Sequence, residues 1–256
     1  MSKPVKGVRA VSEATAVFTD TFQFPGTSLS PDMPPYIEKD RVVMAARPGL
    51  VRKLLPIRQD SSGVYCGGCH LFDTLENARA YANWQANEFI VDGTLFLDRP
   101  IFLEPTSQLW RVAAAEDFAP VESEQKVVRL QRWHLPEAID PVRLREEWWP
   151  ALREAAVKDG LTSAWLLAGT DEHHPQLGIV LTADGNPLEV NEGEAAESLH
   201  RLESWESPGE RLAKALNATK VFDRTSWIYM VWHPIEEGDT SADTAQWPVS
   251  PPWPGL

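Results

Sequence analysis

Between Val64 and Phe72 the chain reads VYCGGCHLF, and its segment Cys66–His70 fits the pattern C-x-x-C-H. That spacing serves a dithiol redox pair, half of a zinc site, or covalent attachment of a c-type haem. The apolar residues on both sides predict a strand instead. On a strand, cysteines three positions apart have Cα atoms about 10 Å apart and side chains on opposite faces. A disulfide needs Cα atoms within roughly 7 Å. A redox cysteine also needs a helix N-terminus to depress its pKa, and the next helix signal comes only after Asp73. Zinc would need two more ligands, for which only the adjacent His173 and His174 offer themselves, and that spacing fits no standard site. The expectation is therefore strand packing: the cysteines act as small apolar residues, and Gly67 and Gly68 allow close approach. No metal is expected.

Acid–base chemistry has better candidates. Asp20 lies in AVFTDTFQF, where strand alternation places it on one face with Phe18, Phe22 and Phe24. A carboxylate among aromatic rings has a raised pKa unless it is paired, and becomes a candidate general base. His70 shares a face with Cys66 and Phe72 and could move protons near neutral pH. His134, beside Arg132 and opposite Trp133, is expected to point into the space between two sheets as a third catalytic candidate. The alternative for each is ordinary structural hydrogen bonding. Tyr65, Arg129, Gln131, Trp133 and Trp149 form the expected substrate-binding set. Trp148 and Trp165 lie close by in a chain with 11 tryptophans. Aromatic walls with a few polar groups suit an apolar or aromatic ligand.

The elements that must position these residues recur. TFQFPG (Thr21–Gly26) and RWHLPE (Arg132–Glu137) each close an alternating segment, and RPGLVRKLL (Arg47–Leu55) and KDGLTSAWLL (Lys158–Leu167) follow them. In both cases 24 residues separate the proline from the glycine, as an internal repeat requires. Each half reads β-α-β-β-α-β. The first has strands at Ala14–Phe24, Leu50–Gln59, Val64–Phe72 and Leu95–Glu104, with helices at Pro31–Ala46 and from Asp73 or Thr74 to Val91. The second has strands at Lys126–Leu135, Leu161–Ala168, Leu177–Ala183 and Thr225–Ile235, with helices at Asp140–Lys158 and within Glu192–Leu216. The predicted fold is α+β: two tandem ferredoxin-like units, 14–112 and 125–236, joined by the acidic linker Ala113–Glu124. Together they would form in one chain the barrel usually built by two. Residues 237–256 are proline-rich and read as an extended arm.

The first half resembles YdhR-type monooxygenase-like proteins of the dimeric α+β barrel superfamily. FQFPG (Phe22–Gly26), PGLVRKL (Pro48–Leu54), the GG-x-x-LF of Gly67–Phe72 and Ala80–Tyr81 carry the resemblance, over roughly Ala14–Gln108. It implies cofactor-independent monooxygenation, in which a deprotonated substrate itself reduces oxygen. Where the family's second helix tends to carry a histidine, this chain has Gln85, so that role does not transfer. Proton abstraction alone equally serves a lyase or isomerase in aromatic-compound breakdown. A non-catalytic small-molecule-binding barrel and a haem enzyme with His70 as axial ligand are the remaining alternatives.

Composition narrows the partners. The net charge of −13, from 24 basic and 37 acidic side chains, repels nucleic acid. No apolar run is long enough for a membrane span. Two closely spaced cysteines and the absence of an apolar signal-like run point to the cytoplasm. A small-molecule substrate and a monomer or homodimer are expected. There is no P-loop, no G-x-G-x-x-G opening a helix and no G-x-S-x-G elbow. The adjacent Glu146 and Glu147 are poor metal partners.

Overall fold

A computed structural model describes residues 9–24, 47–60, 63–91, 93–99, 102–120, 127–184 and 208–232. Eight antiparallel strands close into a barrel: β1 (Ala16–Phe24), β2 (Leu50–Asp60), β3 (Gly63–Phe72), β6 (Leu103–Asp117), β7 (Val127–His134), β8 (Leu161–Gly169), β9 (Gln176–Ala183) and β10 (Thr219–Trp232). Around the barrel they run β1-β3-β2-β10-β7-β9-β8-β6. Each half thus arranges its own four strands as fourth, first, third, second. The halves meet at two seams, β2 with β10 and β6 with β8. Gly49 (φ 69°) and Gly160 (φ 70°) make the same left-handed step into β2 and β8. Glycine adopts that conformation without the steric penalty of a Cβ.

Helix α1 (Leu75–Asn87) covers the first half. The Thr74 side chain caps it by accepting from Asn77 N–H, and its buried face is Ala78, Tyr81 and Gln85. Helices α2 (Pro141–Glu147), α3 (Trp149–Lys158) and α4 (Pro208–Ala215) cover the second half. The single helix expected over Asp140–Lys158 is divided at Trp148, because Pro150 has no N–H to offer and crowds the carbonyl one turn back. Pro208 and Gly209, expected to interrupt a helix, instead open α4. The expected first helix, 31–46, and the tail, 237–256, lie outside the described residues.

The largest departure concerns the first half's last strand, expected at Leu95–Glu104. The short strands β4 (Ile90–Val91) and β5 (Thr94–Leu95) pair with each other, and β6 begins at Leu103 and runs to Asp117. It crosses the expected unit end at 112 and the first residues of the expected linker. The acidic composition of AAAED suggested a linker, yet its backbone pairs with β8 at the seam. Among the described residues no helix is long and apolar enough to cross a membrane.

Alternation along the strands separates two layers. The inward layer brings Val17, Cys69, Leu71 and Trp110 of one half against Val128, Leu130, Trp165 and Val180 of the other. Side chains fill a barrel of this size rather than leaving a pore. The Trp110 indole donates to Thr19 Oγ1 at 2.9 Å and lies over Gly178, where a methyl would come within 3.0 Å of it. One mouth is closed by an ion pair across the barrel. Arg52 of β2, fully buried, donates to Asp117 of β6 through two nitrogens at 2.8 and 3.0 Å. The same carboxylate accepts Val11 N–H, and Arg52 also donates to the Arg9 carbonyl, so the short helical turn Val11–Glu13 is seated over the mouth.

Removing one partner of a buried pair leaves an uncompensated charge, typically a loss of about 3–5 kcal/mol. Arg52→Met and Asp117→Asn are each expected to lose that much in urea denaturation. The double change Arg52→Met/Asp117→Leu should recover at least half, and single variants with wild-type midpoints would show the pair to be dispensable.

Candidate functional site

The outward face of β1 and β3, beneath α1, holds the acid–base candidates. In the register of these strands Phe18 pairs with His70 and Asp20 with Gly68. Asp20 is 5 % exposed, His70 1 %, and Tyr81 and Gln85 of α1 each 3 %. Gln85 Nε2 donates to Asp20 Oδ2 at 2.7 Å and, more weakly, to the Tyr81 hydroxyl at 3.5 Å. The Tyr81 hydroxyl lies 3.2 Å from His70 Nε2, and His70 Nδ1 lies 3.3 Å from the Phe18 carbonyl oxygen. A carbonyl only accepts, so His70 carries its proton on Nδ1, and Nε2 accepts from the Tyr81 hydroxyl. The result is a directed chain from Gln85 through Tyr81 and His70 to the Phe18 carbonyl.

Gly68 explains why this face has no side chain at its centre. A methyl there would sit 2.2 Å from His70 Cε1 and 2.9 Å from Asp20 Oδ1, so the glycine makes room for both groups. Gly67, on the other face, lies against the Asp20 carbonyl, where a methyl would come within 2.2 Å. The two cysteines are free and buried. Burial pushes the Cys69 thiol up to about 12, and the Asp20 charge adds to the effect, so no nucleophilic thiolate forms near neutral pH.

Burial holds the His70 ring well below its usual pKa, and the charge of Lys53, its cross-strand partner on β2, adds to this. Lys53 is itself buried. This face therefore combines a carboxylate, a neutral imidazole and an ammonium. Sequence reasoning found Asp20 and His70 but passed over Lys53, Tyr81 and Gln85 as site residues. The lysine inside the apolar run LVRKLLPI was a usable signal, since a strand lysine there needs a special partner. Gln85 was read as one position of a helix stripe and as a missing histidine, not as a site residue, although its Oε1 is buried without a donor.

The other candidates lie elsewhere. Tyr65 sits under the Arg224 guanidinium, 3.9 Å from its ring centre, beside a cavity of about 20 Å³ that also touches Cys69 and Val128. That volume holds about one water. Arg129, Gln131 and Trp133 lie under the second half's helices, and Trp149 packs against the same core. Arg129 donates to both oxygens of Asp223 at 2.8 Å, and Gln131 Nε2 donates to Asp223 Oδ2 at 3.0 Å. Burial pushes the Asp223 carboxyl up, but bonds from Arg129, Gln131 and Lys220 outweigh it and hold the pKa below the usual range. Trp165, grouped with these tryptophans from sequence, faces the barrel interior instead. His134 does not point into the barrel. It is exposed at the last position of β7, paired with Thr219 and Gln176 at the rim of the barrel.

The haem readings do not fit these residues. Cys66 and Cys69 face opposite sides of β3, and thioether links to both would have to unravel it. Both nitrogens of His70 are engaged, and an axial bond at Nε2 would displace Tyr81. The zinc reading also separates, since His173 and His174 are exposed in the β8–β9 turn while the cysteines are buried. Among the described residues no cluster of histidine, cysteine and carboxylate side chains could hold a metal ion.

No protein-family model and no curated protein matches the sequence. Among solved structures, the chain is similar to an anthrone oxidase-like protein at 12 % identity and a TM-score of 0.55, over 89 % of this chain and 97 % of the other. Two candidate monooxygenases match more loosely. The one from Fusobacterium nucleatum has 11 % identity and a TM-score of 0.48, over 86 % of this chain and 95 % of its own. The one from Lactobacillus acidophilus has 12 % and 0.46, over 86 % and 96 %. The first likeness supports the fold: a ferredoxin-like α+β arrangement held in one chain.

His70 gives the fold a pH dependence of known sign. The folded state keeps the ring neutral, whereas the unfolded chain takes up a proton below about pH 6.5. Stability is complete above that value and falls as the pH drops through it. The urea midpoint is expected to fall between pH 7.5 and 5.5, and less steeply in His70→Gln. Identical slopes in the two proteins would remove His70 as the source.

Proposed function

We propose that the protein is a cofactor-independent, monooxygenase-like enzyme in which Asp20 deprotonates a small aromatic substrate. The observation that carries this reading is a buried carboxylate on the same sheet face as a neutral imidazole, brought side by side because Gly68 has no side chain to keep them apart. The fold likeness to an anthrone oxidase-like protein suggests the substrate class: a methylene flanked by aromatic rings, acidic because its carbanion is delocalised.

In the proposed step, Asp20 takes one methylene proton. The carbanion passes an electron to dioxygen, and the resulting radical and superoxide combine into a C–O bond. The peroxide takes a proton back from Asp20. Loss of the second C–H proton with cleavage of the O–O bond gives a ketone and one water, so CH₂ and O₂ become C=O and H₂O. The Lys53 ammonium favours superoxide and peroxide, since a fixed cation stabilises negative charge most where water is excluded. Gln85 Oε1 accepts from a ring hydroxyl of the substrate, and Tyr81 and His70 hold Gln85 in place. The substrate's own electrons reduce oxygen, so no cofactor is needed. Arg129, Gln131, Trp133 and Trp149 take no part in this step, and neither does the exposed His134. We further propose that the two halves arose by internal duplication, for which the common strand order and the paired glycines speak.

Oxygen uptake with anthrone as probe, above the uncatalysed rate, tests the reading. Asp20→Asn should lower kcat/KM by about 10²-fold or more, and Lys53→Gln should lower kcat more than it raises KM. Uptake that survives Asp20→Asn would overturn the assignment of the base. Deuterium exchange into anthrone without oxygen uptake would replace oxygenation by isomerase or lyase chemistry.

A further inference from the structure

Between α2, α3 and α4 and the outer face of β8 and β9 lies a cavity of about 270 Å³. It is on the far half from Asp20, and the chemistry proposed above makes no use of it. Leu152, Leu166, Ile179 and Leu212 give it apolar walls, and Trp148 and Arg211 complete them. Close-packed interiors rarely leave apolar space of this size, and this space opens partly to solvent, so a small molecule can reach it. An apolar cavity of about 150 Å³ already accepts benzene. This one has room for a fused pair of rings.

Two of its lining residues have unused hydrogen-bonding capacity. The Trp148 indole N–H is buried with no acceptor, which is costly unless a ligand supplies one. Arg211 is exposed, which sets it at the mouth, and among the described residues it has no ion pair or hydrogen bond. The neighbouring carboxylate, Glu210, does not neutralise it, because Glu210 is held by Lys220 and Gln131. A greasy chamber with an unsatisfied donor in its wall and a free guanidinium at its entrance is complementary to one kind of molecule. We propose that this cavity binds a small aromatic carboxylate, its rings among the leucines and its carboxylate on Arg211, with Trp148 N–H donating to the ligand. The guanidinium fork matches a carboxylate in two parallel bonds. The second half would thus be a binding site without a catalytic base, in a chain whose other half carries one.

Calorimetric titration of the full chain with 2-naphthoate, and with 2-naphthamide as its neutral counterpart, tests this. Wild type should bind 2-naphthoate and bind the amide about tenfold or more weakly, as loss of a charged hydrogen bond implies. Arg211→Gln should remove that preference, and Trp148→Phe should weaken both ligands several-fold. Ala151→Leu fills the cavity from an exposed backbone position and should abolish binding with an unchanged melting temperature. Asp20→Asn should leave binding intact. The proposal is overturned if wild type fails to bind, if Arg211→Gln keeps the preference for the charged ligand, or if Ala151→Leu binds as wild type does. Loss of binding in Asp20→Asn would likewise overturn it, by placing the ligand in the other half.

Discussion

The barrel is held shut at one mouth by two charges that have nowhere else to go. Arg52 is fully buried, and its guanidinium reaches across the interior to Asp117, a strand that is not its neighbour in the sheet. Backbone ladders fix each strand beside the next, but they leave the opening free to flatten or splay. The guanidinium–carboxylate fork sets a fixed span between β2 and β6. Because these strands form a seam each, with β10 and with β8, that span also sets how the halves face one another. The Val11–Glu13 turn hangs on the same carboxylate, so one group both closes the mouth and seats this turn over it. The apolar inner layer can then pack to high density behind it.

On the outer faces the halves use the same pair of groups in opposite places. In the first, the strand supplies the carboxylate, Asp20, and the helix supplies the amide, Gln85, at 2.7 Å. In the second, the strand supplies the amide, Gln131, and the helix supplies the carboxylate, Glu210, at 3.4 Å. The exchange changes the chemistry. Around Gln131 the acids Asp223 and Glu210 are balanced by Arg129 and Lys220, and the network is ionic and partly solvated. Around Asp20 the groups are more deeply buried: an amide, a phenol and a neutral imidazole lie beside the carboxylate, and Lys53 brings a cation to the same face.

Much of this was legible because strands have a period of two. Alternation in AVFTDTFQF and VYCGGCHLF placed Asp20 and His70 on buried faces without knowledge of the partner strand. Opposite orientation of Cys66 and Cys69 followed from the same rule. What alternation cannot supply is register, which brings Gly68 opposite Asp20 and Lys53 opposite His70. His134 was misread because alternation gives a face and not a depth: it shares the face of Leu130 and is paired on both sides, but it is the last residue of β7 and lies exposed at the rim. β6 was misplaced because composition stood in for pairing. Nothing local in AAAED says that its backbone will meet β8, since that contact depends on closing the barrel. Gln85 was hidden by comparison with a histidine it replaces, although its position on the buried stripe of α1 was visible.

A barrel closed within one chain has a further consequence for how such a protein changes over time. In an assembly of two identical chains every substitution appears twice, and a carboxylate introduced under one helix is introduced under the other. The desolvation burden is then doubled at once, against a stability margin of only about 5–15 kcal/mol. Here positions 20 and 131 are separate letters of one sequence, one acidic and one not. Each face can be altered singly, with the opposite half left as an unchanged scaffold while the alteration is tried.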